Sequence, residues 1–486
     1  MNTYVNPVIR GYYPDPSICA ANGHYYLVCS TNHYFPGIPL FESEDLVNWE
    51  QIGYVLTRKS QLPLEGVASS GGIMAPTIRY HEGRFYVACT NGKLGGNFYV
   101  WTDDIHGEWS EPIMVKQRGI DASLMFENGK AYFLTNGPDD EDKKGITQCE
   151  IDIETGEKLT ASKVIWQGTG GRCLESPHMY HIGDTYYLVC AEGGTEYGHM
   201  ITCARASNPW GPFVSAPVNP VLTNRNKTHQ PIQGIGHGDL IQDEDDNWHF
   251  VCLGFRQIHS HAQFHTLGRE VFLIPARFDE NGCLTAGYDG TADYEYECKA
   301  VQKFKKEWTF ANTNWKADWC FLRDDGKFEH ELTDEYAVLT ANGYTLNDVA
   351  SPAFVAMRQK DFDFTLTADV EVEGGEGGVC VYNNEFEHFD LAICKGEVFA
   401  RINFGGIDKV LHSVPAGDKA RLVLTGDHAK YHFFVEIGGQ RIPLGDMPIK
   451  YISKEVCGGF VGAMLALYAQ DGGKATFTNF RLEYEY

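Results

Sequence analysis

The sequence predicts an all-β chain: a five-bladed β-propeller over residues 1–300, then a β-sandwich over residues 301–486. Three observations lead there. A short phrase recurs five times, its copies begin 46 to 62 residues apart, and it stops near residue 309 although strand-like alternation continues. The phrase is a short strand, a Gly or Asp eight residues after its first residue, and a second strand rich in aromatic and β-branched residues. A repeated all-β unit of this length fits a propeller blade. A solenoid is the alternative, but its repeats would be more uniform and its ends need not meet.

The first copy starts at Asp15 in Tyr13-Pro14-Asp15-Pro16-Ser17-Ile18, with Gly23 and Tyr25-Tyr26-Leu27-Val28 behind it. The second runs Ala75-Pro76-Thr77-Ile78, Gly83, Phe85-Tyr86-Val87, and the third Asp121, Ser123-Leu124, Gly129, Ala131-Tyr132-Phe133-Leu134. Glu175 opens the fourth, with Pro177, Gly183 and Tyr186-Tyr187-Leu188. His237 opens the fifth, with Asp239-Leu240-Ile241, Asp245 in the glycine's place, and Trp248-His249-Phe250-Val251. Between copies, Trp49, Trp109 and Trp210 follow polar turns and are expected to pack between blades.

In a propeller the equivalent position of every blade faces one axis. Asp15, Ala75, Asp121, Glu175 and His237 are then expected around a common centre. Three acids and a histidine there point to a catalytic pocket, because unpaired buried charge is costly in a purely structural ring. Pro14 and Pro16 stiffen the backbone at Asp15, and Pro16 predicts extended geometry for it.

Beyond a charged stretch holding Lys299, Lys303, Lys305, Lys306 and Glu307, the runs 362–370 and 420–424 alternate as half-buried strands do. Gly374, Gly375, Gly377 and Gly378 mark a turn, and no long helix is expected. The net charge of −25 argues against nucleic acid and anionic membranes as partners and leaves a neutral sugar or polysaccharide fragment. No secretion signal or membrane-length apolar run is seen, so a cytoplasmic protein is expected. The 14 cysteines are scattered without CxxC pairs and read as reduced, buried small hydrophobes.

Hydrolysing a glycosidic bond takes two carboxyl groups across a pocket: one protonates the leaving oxygen, the other activates water or attacks the sugar. A third acid nearby raises the pKa of the proton donor. Asp15, Asp121 and Glu175 meet that need, and the repeats leave their roles open.

The order and spacing of several segments identify a family. They are Asn6-Pro7-Val8 before Tyr13-Pro14-Asp15-Pro16-Ser17, Tyr34-Phe35-Pro36-Gly37, Ser43 to Trp49, and Gly72-Ile73-Met74-Ala75-Pro76-Thr77. Ile120-Asp121-Ala122-Ser123-Leu124, Glu175-Ser176-Pro177-His178, Gly236-His237-Gly238-Asp239-Leu240 and Leu267-Gly268-Arg269-Glu270 complete them. Along nearly its whole length the chain resembles glycoside hydrolase family 43, in its two-domain β-xylosidase and α-L-arabinofuranosidase branch.

The resemblance implies a five-bladed propeller, a jelly-roll, concanavalin-like accessory domain and an inverting mechanism. Asp15 would be the general base, Glu175 the general acid and Asp121 the group that orients Glu175 and raises its pKa. Base and acid would stand roughly 6.5–9.5 Å apart to admit a water. Arg269 would contact sugar hydroxyls. His237, near the pocket floor, would be a candidate ligand for calcium or a similar hydrated ion, although no cofactor is required. Phe35, Met74 and Asn32 would line the sugar pocket, and Phe460 would close it from the sandwich. Family xylosidases carry a tryptophan at the position of Met74 and an aromatic residue at that of Asn32, so the subsite is expected to be reshaped.

The implied activity is exo-hydrolysis of terminal β-1,4-linked D-xylose from xylo-oligosaccharides, with α-L-arabinofuranose as the alternative. An endo-arabinanase, a non-catalytic carbohydrate-binding protein and self-association into a homo-oligomer remain open from sequence. Two further signals are set aside. His259-Ser260-His261 with His265 reads as a rim loop rather than a metal site, and Asp139-Asp140-Glu141-Asp142 as a solvated loop.

Overall fold

A computed structural model describes residues 2–258 and 263–486. Among these residues the regular structure is strand, apart from short 3-10 turns and one four-residue helix, Lys454–Cys457. No helix is long and apolar enough to cross a membrane.

Five antiparallel four-stranded sheets follow one another along the chain. They begin at Ser17–Ala21, Thr77–His81, Ile120–Glu127, Glu175–Ile182 and Ile232–Gln242, and each ends before the next begins. The five leading strands pack side by side in chain order, and Ile232–Gln242 returns against Ser17–Ala21. The ring therefore closes, as a propeller requires and a solenoid does not. The turns that mark the repeat are tight: Asn22-Gly23, Glu82-Gly83 and Asn128-Gly129 all have positive φ at both residues, the form that matches strand twist. The N-terminal segment ties the ring to its last blade. Asn2–Val5 pairs with Glu295–Cys298, and the Asn6 amide exchanges hydrogen bonds of 3.0 and 2.9 Å with the Leu273 backbone.

Bulges place the axial residues. Pairing jumps from Ile120↔Asn136 to Ser123↔Leu134, from Glu175↔Ala191 to His178↔Val189, and from Gly236↔Leu253 to Gly238↔Cys252. Each extra residue bends the strand and re-aims a side chain. The residues at the jumps, Asp121 (φ +55°), Ser176 (φ +53°) and His237 (φ +49°), are left-handed. Asp15 shares this geometry at φ +58°, which corrects the extended backbone expected from Pro16. The local proline preference is overruled because the blade entry needs a turn, and Asp tolerates the left-handed region better than most residues. Such strain costs about 1–3 kcal/mol per residue and persists where the surroundings over-determine it.

Beneath the axial residues lies a buried carboxylate, Asp239. It accepts from Ser17 Oγ at 2.6 Å, the Ile18 N–H at 3.0 Å, Arg79 at 2.8 and 3.1 Å, and the Tyr180 hydroxyl. These donors come from three other blades. Burial alone would raise the Asp239 pKa, but Arg79 and the hydrogen bonds hold it well below the ordinary carboxylate range. Asp239→Ala strands the Arg79 charge, and urea denaturation is expected to register a loss of about 3–5 kcal/mol. A loss under about 1 kcal/mol would contradict this role for Asp239.

The C-terminal sandwich stacks an eight-stranded sheet, which includes Glu307–Thr309, on a six-stranded one. Strand Phe364–Glu373 buries alternate residues, as a sheet with one wet face does. Glu376–Asn384 in the six-stranded sheet is buried throughout. On one side it meets the sandwich core, and on the other Tyr382 packs in a cluster with Tyr12 and Tyr34 of the propeller. Tyr34–Phe35 pairs directly with Phe321–Leu322. Two buried arginines pin the contact: Arg323 donates to the Val67 carbonyl at 2.6 Å, and Arg358 to the Tyr12 carbonyl at 2.8 Å. The sandwich thus bears on the backbone just ahead of Asp15.

Candidate active site

Asp15 is buried and held from three sides. Arg269 Nη1 donates to its Oδ1 at 2.6 Å, Ser30 Oγ donates to its Oδ2 at 2.7 Å, and His237 Nδ1 stands 3.8 Å from Oδ1. Burial opposes its ionisation, but Arg269, His237 and the Ser30 hydrogen bond outweigh it. The Asp15 carboxyl therefore titrates below its ordinary value.

Glu175 and Asp121 have the opposite surroundings. Burial raises the Glu175 pKa and the charge of Asp15 adds to it, against partial relief from Arg269 and Arg172. Asp121 is raised well above its ordinary value by burial, then by Glu175 and Asp15. Both carboxyls are thereby drawn towards their protonated forms. Asp121 Oδ2 accepts from the backbone N–H of Ser176 at 3.0 Å, which fixes the chain at the residue after Glu175 and favours an ionised Asp121.

The sandwich completes one side of the site. The Phe460 N–H donates to Ser70 Oγ at 2.8 Å, and the Phe460 carbonyl accepts from Arg269 Nη2 at 3.2 Å. The Phe460 ring, 46% exposed, lies 5.8 Å from the Arg269 guanidinium carbon. Two glycines permit this approach. A Cβ on Gly462 would meet the Leu267 carbonyl oxygen at 2.4 Å, and one on Gly268 (φ +82°) would meet Gly462 Cα at 3.0 Å. Lys454, on the short helix, donates to the Thr195 carbonyl at 3.3 Å and lies 5.4 Å from the Phe460 ring centre. Burial and the nearby Arg269 bring the Lys454 pKa down to about 8. Glu455 binds His265 at 2.8 Å and Tyr197 at 3.1 Å, locking helix to propeller.

This is an arginine-held cluster of carboxyls on a five-bladed propeller, and known proteins share its framework. The model of "Glycosyl hydrolases family 43" matches residues 4–284, and "Beta xylosidase C-terminal Concanavalin A-like domain" matches residues 304–483. The chain belongs to glycosyl hydrolase family 43. It is a glycoside hydrolase. A non-reducing end alpha-L-arabinofuranosidase of Bacteroides ovatus is 39% identical, over 97% of this chain and 92% of that one. A beta-xylosidase of Bacillus subtilis is 30% identical over 96% of each chain. The solved structure described as Bacteroides ovatus xyloglucan PUL GH43B superposes with a TM-score of 0.91 at 35% identity, covering both chains completely.

Other positions expected from the family 43 sequence differ in where they fall. Met74 is 36% exposed, with a mobile thioether. Asn32 is buried, and its amide is committed to the scaffold: Oδ1 accepts from the Tyr12 hydroxyl and Nδ2 donates to the Ser70 carbonyl at 2.9 Å. It shapes the pocket by holding Ser70, which in turn holds Phe460. Phe35 needs correction. It is 4% exposed inside the core shared by the two domains, because its strand pairs with the sandwich, so it does not line the sugar pocket.

His237 is the candidate ligand for a hydrated ion. Among the described residues no three His, Cys, Asp or Glu side chains converge as ligands, and the Arg269 cation occupies the Asp15 oxygen nearest His237. These residues do not fit direct coordination of an ion. His259-Ser260-His261 lies outside the described residues, apart from His265. Asp139 accepts from the N–H groups of Glu141 and Lys143 at 2.9 Å each, closing its own acidic loop. None of the 14 cysteines is in a disulfide.

The sequence reading missed Ser30, Thr195, Arg172 and Lys454. Arg79 left a faint signal, a charge at the centre of the strand Thr77–His81.

Proposed function

We propose that this enzyme is an inverting exo-glycosidase that removes a terminal pentose from short oligosaccharides. The observation that carries the reading is the opposite tuning of two carboxyls on one axis. Asp15 is held ionised, as a base that activates water must be, and Glu175 is held towards its protonated form, as an acid on the leaving oxygen must be. Asp121 serves Glu175 twice: it fixes the backbone at Ser176, and in its ionised form, which the Ser176 N–H favours, its charge opposes loss of the Glu175 proton. Arg269 orients Asp15 and presents its remaining N–H groups to sugar hydroxyls. Closure on one side by Phe460 and Lys454 supports attack at a chain end, where an endo-acting enzyme needs an open groove.

This assignment fixes the sign of the pH dependence. Activity needs Glu175 protonated, so the rate falls as pH rises through its raised pKa. In Asp121→Asn the neighbouring charge is gone and the pKa of Glu175 drops. The alkaline limb of kcat/KM is expected to move to lower pH, while the Ser176 N–H keeps an acceptor. An unmoved limb would contradict the role given to Asp121.

The first reading of the sugar is β-1,4-linked D-xylose, from xylo-oligosaccharides. The second is α-L-arabinofuranose, favoured by the exposed Met74 thioether and by the 39% identical arabinofuranosidase. Initial rates on an aryl β-D-xyloside and an aryl α-L-arabinofuranoside, measured side by side, decide between them. The first reading expects the xyloside to be the faster substrate, the reverse order selects the second, and no turnover of either overturns the pentosidase reading. The reduced cysteines support action in a reducing compartment.

A further inference from the structure

A cavity of about 550 Å³ lies between the propeller and the sandwich, lined by residues other than those of the catalytic pocket. Trp49, Phe304 and Tyr486 supply aromatic walls, and Lys303, Lys305 and Lys360 bring three ammonium groups to the lining. Their charge is only partly matched. Among the described residues no acceptor lies within hydrogen-bond distance of Lys360 Nζ, which faces the rings of Trp308 at 5.0 Å and Tyr13 at 5.8 Å. Lys305 Nζ donates to the Asn312 carbonyl at 2.8 Å and stands 3.9 Å from Asp318.

Asp318 favours the charged form of both lysines, so one carboxylate is shared between two ammonium groups. It accepts from Trp308 Nε1 at 3.3 Å, Thr313 Oγ1 at 3.2 Å and the Asn314 N–H at 2.8 Å. Glu50, the other lining carboxylate, is exposed. Arg10 is already paired with Asp361 and packed 4.5 Å over Phe304 and 4.4 Å over Tyr486. Burial lowers the pKa of both Lys305 and Lys360 and Asp318 offsets part of that, while the Lys360 charge lowers Lys305 and the Arg358 charge lowers Lys360. Two partly desolvated cations that repel one another and share the single carboxylate of Asp318, in a protein of net charge −25, form a place that a second anion would stabilise.

We propose that this interdomain cavity is a second binding site, for a sugar bearing a carboxylate: a uronate. The carboxylate would lie between Lys305 and Lys360, and the sugar ring would pack on the aromatic walls. The volume falls in the range of small-ligand sites, which combine apolar walls with a few convergent polar groups. A neutral pentose would leave both ammonium groups uncompensated, so the cavity and the catalytic pocket select different sugars.

Calorimetric titration of the full chain with D-glucuronate tests this, with D-xylose, acetate and phosphate as comparisons. Saturable glucuronate binding is expected, weakened by added salt and at least tenfold tighter than acetate or phosphate binding. It should persist in Glu175→Ala and weaken at least tenfold in Lys305→Gln/Lys360→Gln. Lys305→Gln alone, at a more exposed position, should weaken it severalfold while leaving pentoside hydrolysis unchanged. No saturable binding, equal binding of the simple anions, or a lysine-independent signal would overturn the proposal. None of those results bears on the pentosidase reading, which rests on the other pocket.

Discussion

Replacing Glu175 with alanine is expected to lower kcat about a hundred- to ten-thousandfold on an aryl pentoside whose leaving group needs a proton, the range that general acid catalysis contributes. The environment of Glu175 sets this expectation. Burial and the Asp15 charge keep its proton on at pH values where an ordinary glutamate has lost it. With a dinitrophenyl leaving group, which departs without protonation, the loss should shrink to a small factor. Equal losses on both substrates would mean that Glu175 does something other than donate that proton.

Asp15→Ala is expected to show the complementary pattern. A base that activates water is needed whatever the leaving group, so kcat should fall about a hundred- to ten-thousandfold on both substrates. The substitution also removes the 2.6 Å partner of Arg269, so sugar binding is expected to weaken and KM to rise. Asp15→Asn keeps an acceptor for Arg269 and Ser30 while losing basicity. It should hold KM closer to the parent value and still lose kcat. If Asp15→Asn retains most of the parent kcat, Asp15 is not the base.

Much of the propeller is legible in the sequence because its signal is local and repeated. The two-residue turns at Asn22-Gly23 and Asn128-Gly129 and the aromatic second strands need no distant partner to be recognised. The axial positions follow from counting back eight residues from each turn. What fails is geometry imposed by the assembled ring. Pro16 predicts an extended Asp15, yet entry into the first blade holds it at φ +58°. Phe35 reads as a pocket aromatic, yet a strand almost 300 residues away pairs with it and draws it into the core. The contributions of the sandwich are the least legible. Gly462 and Gly268 meet only in the fold, and Lys454 stands on a single helical turn with no pattern around it. Phe460 was accessible only through family resemblance.

The central claim is that Asp15 and Glu175 act together across one sugar with a water between them. Proton NMR during the first minutes of hydrolysis tests it most directly, by recording which anomer of the free pentose appears before mutarotation. A β-D-xyloside should release α-D-xylose first, and an α-L-arabinofuranoside the β-anomer. First appearance of the anomer already present in the substrate would mean retention through a covalent intermediate, and would contradict the account.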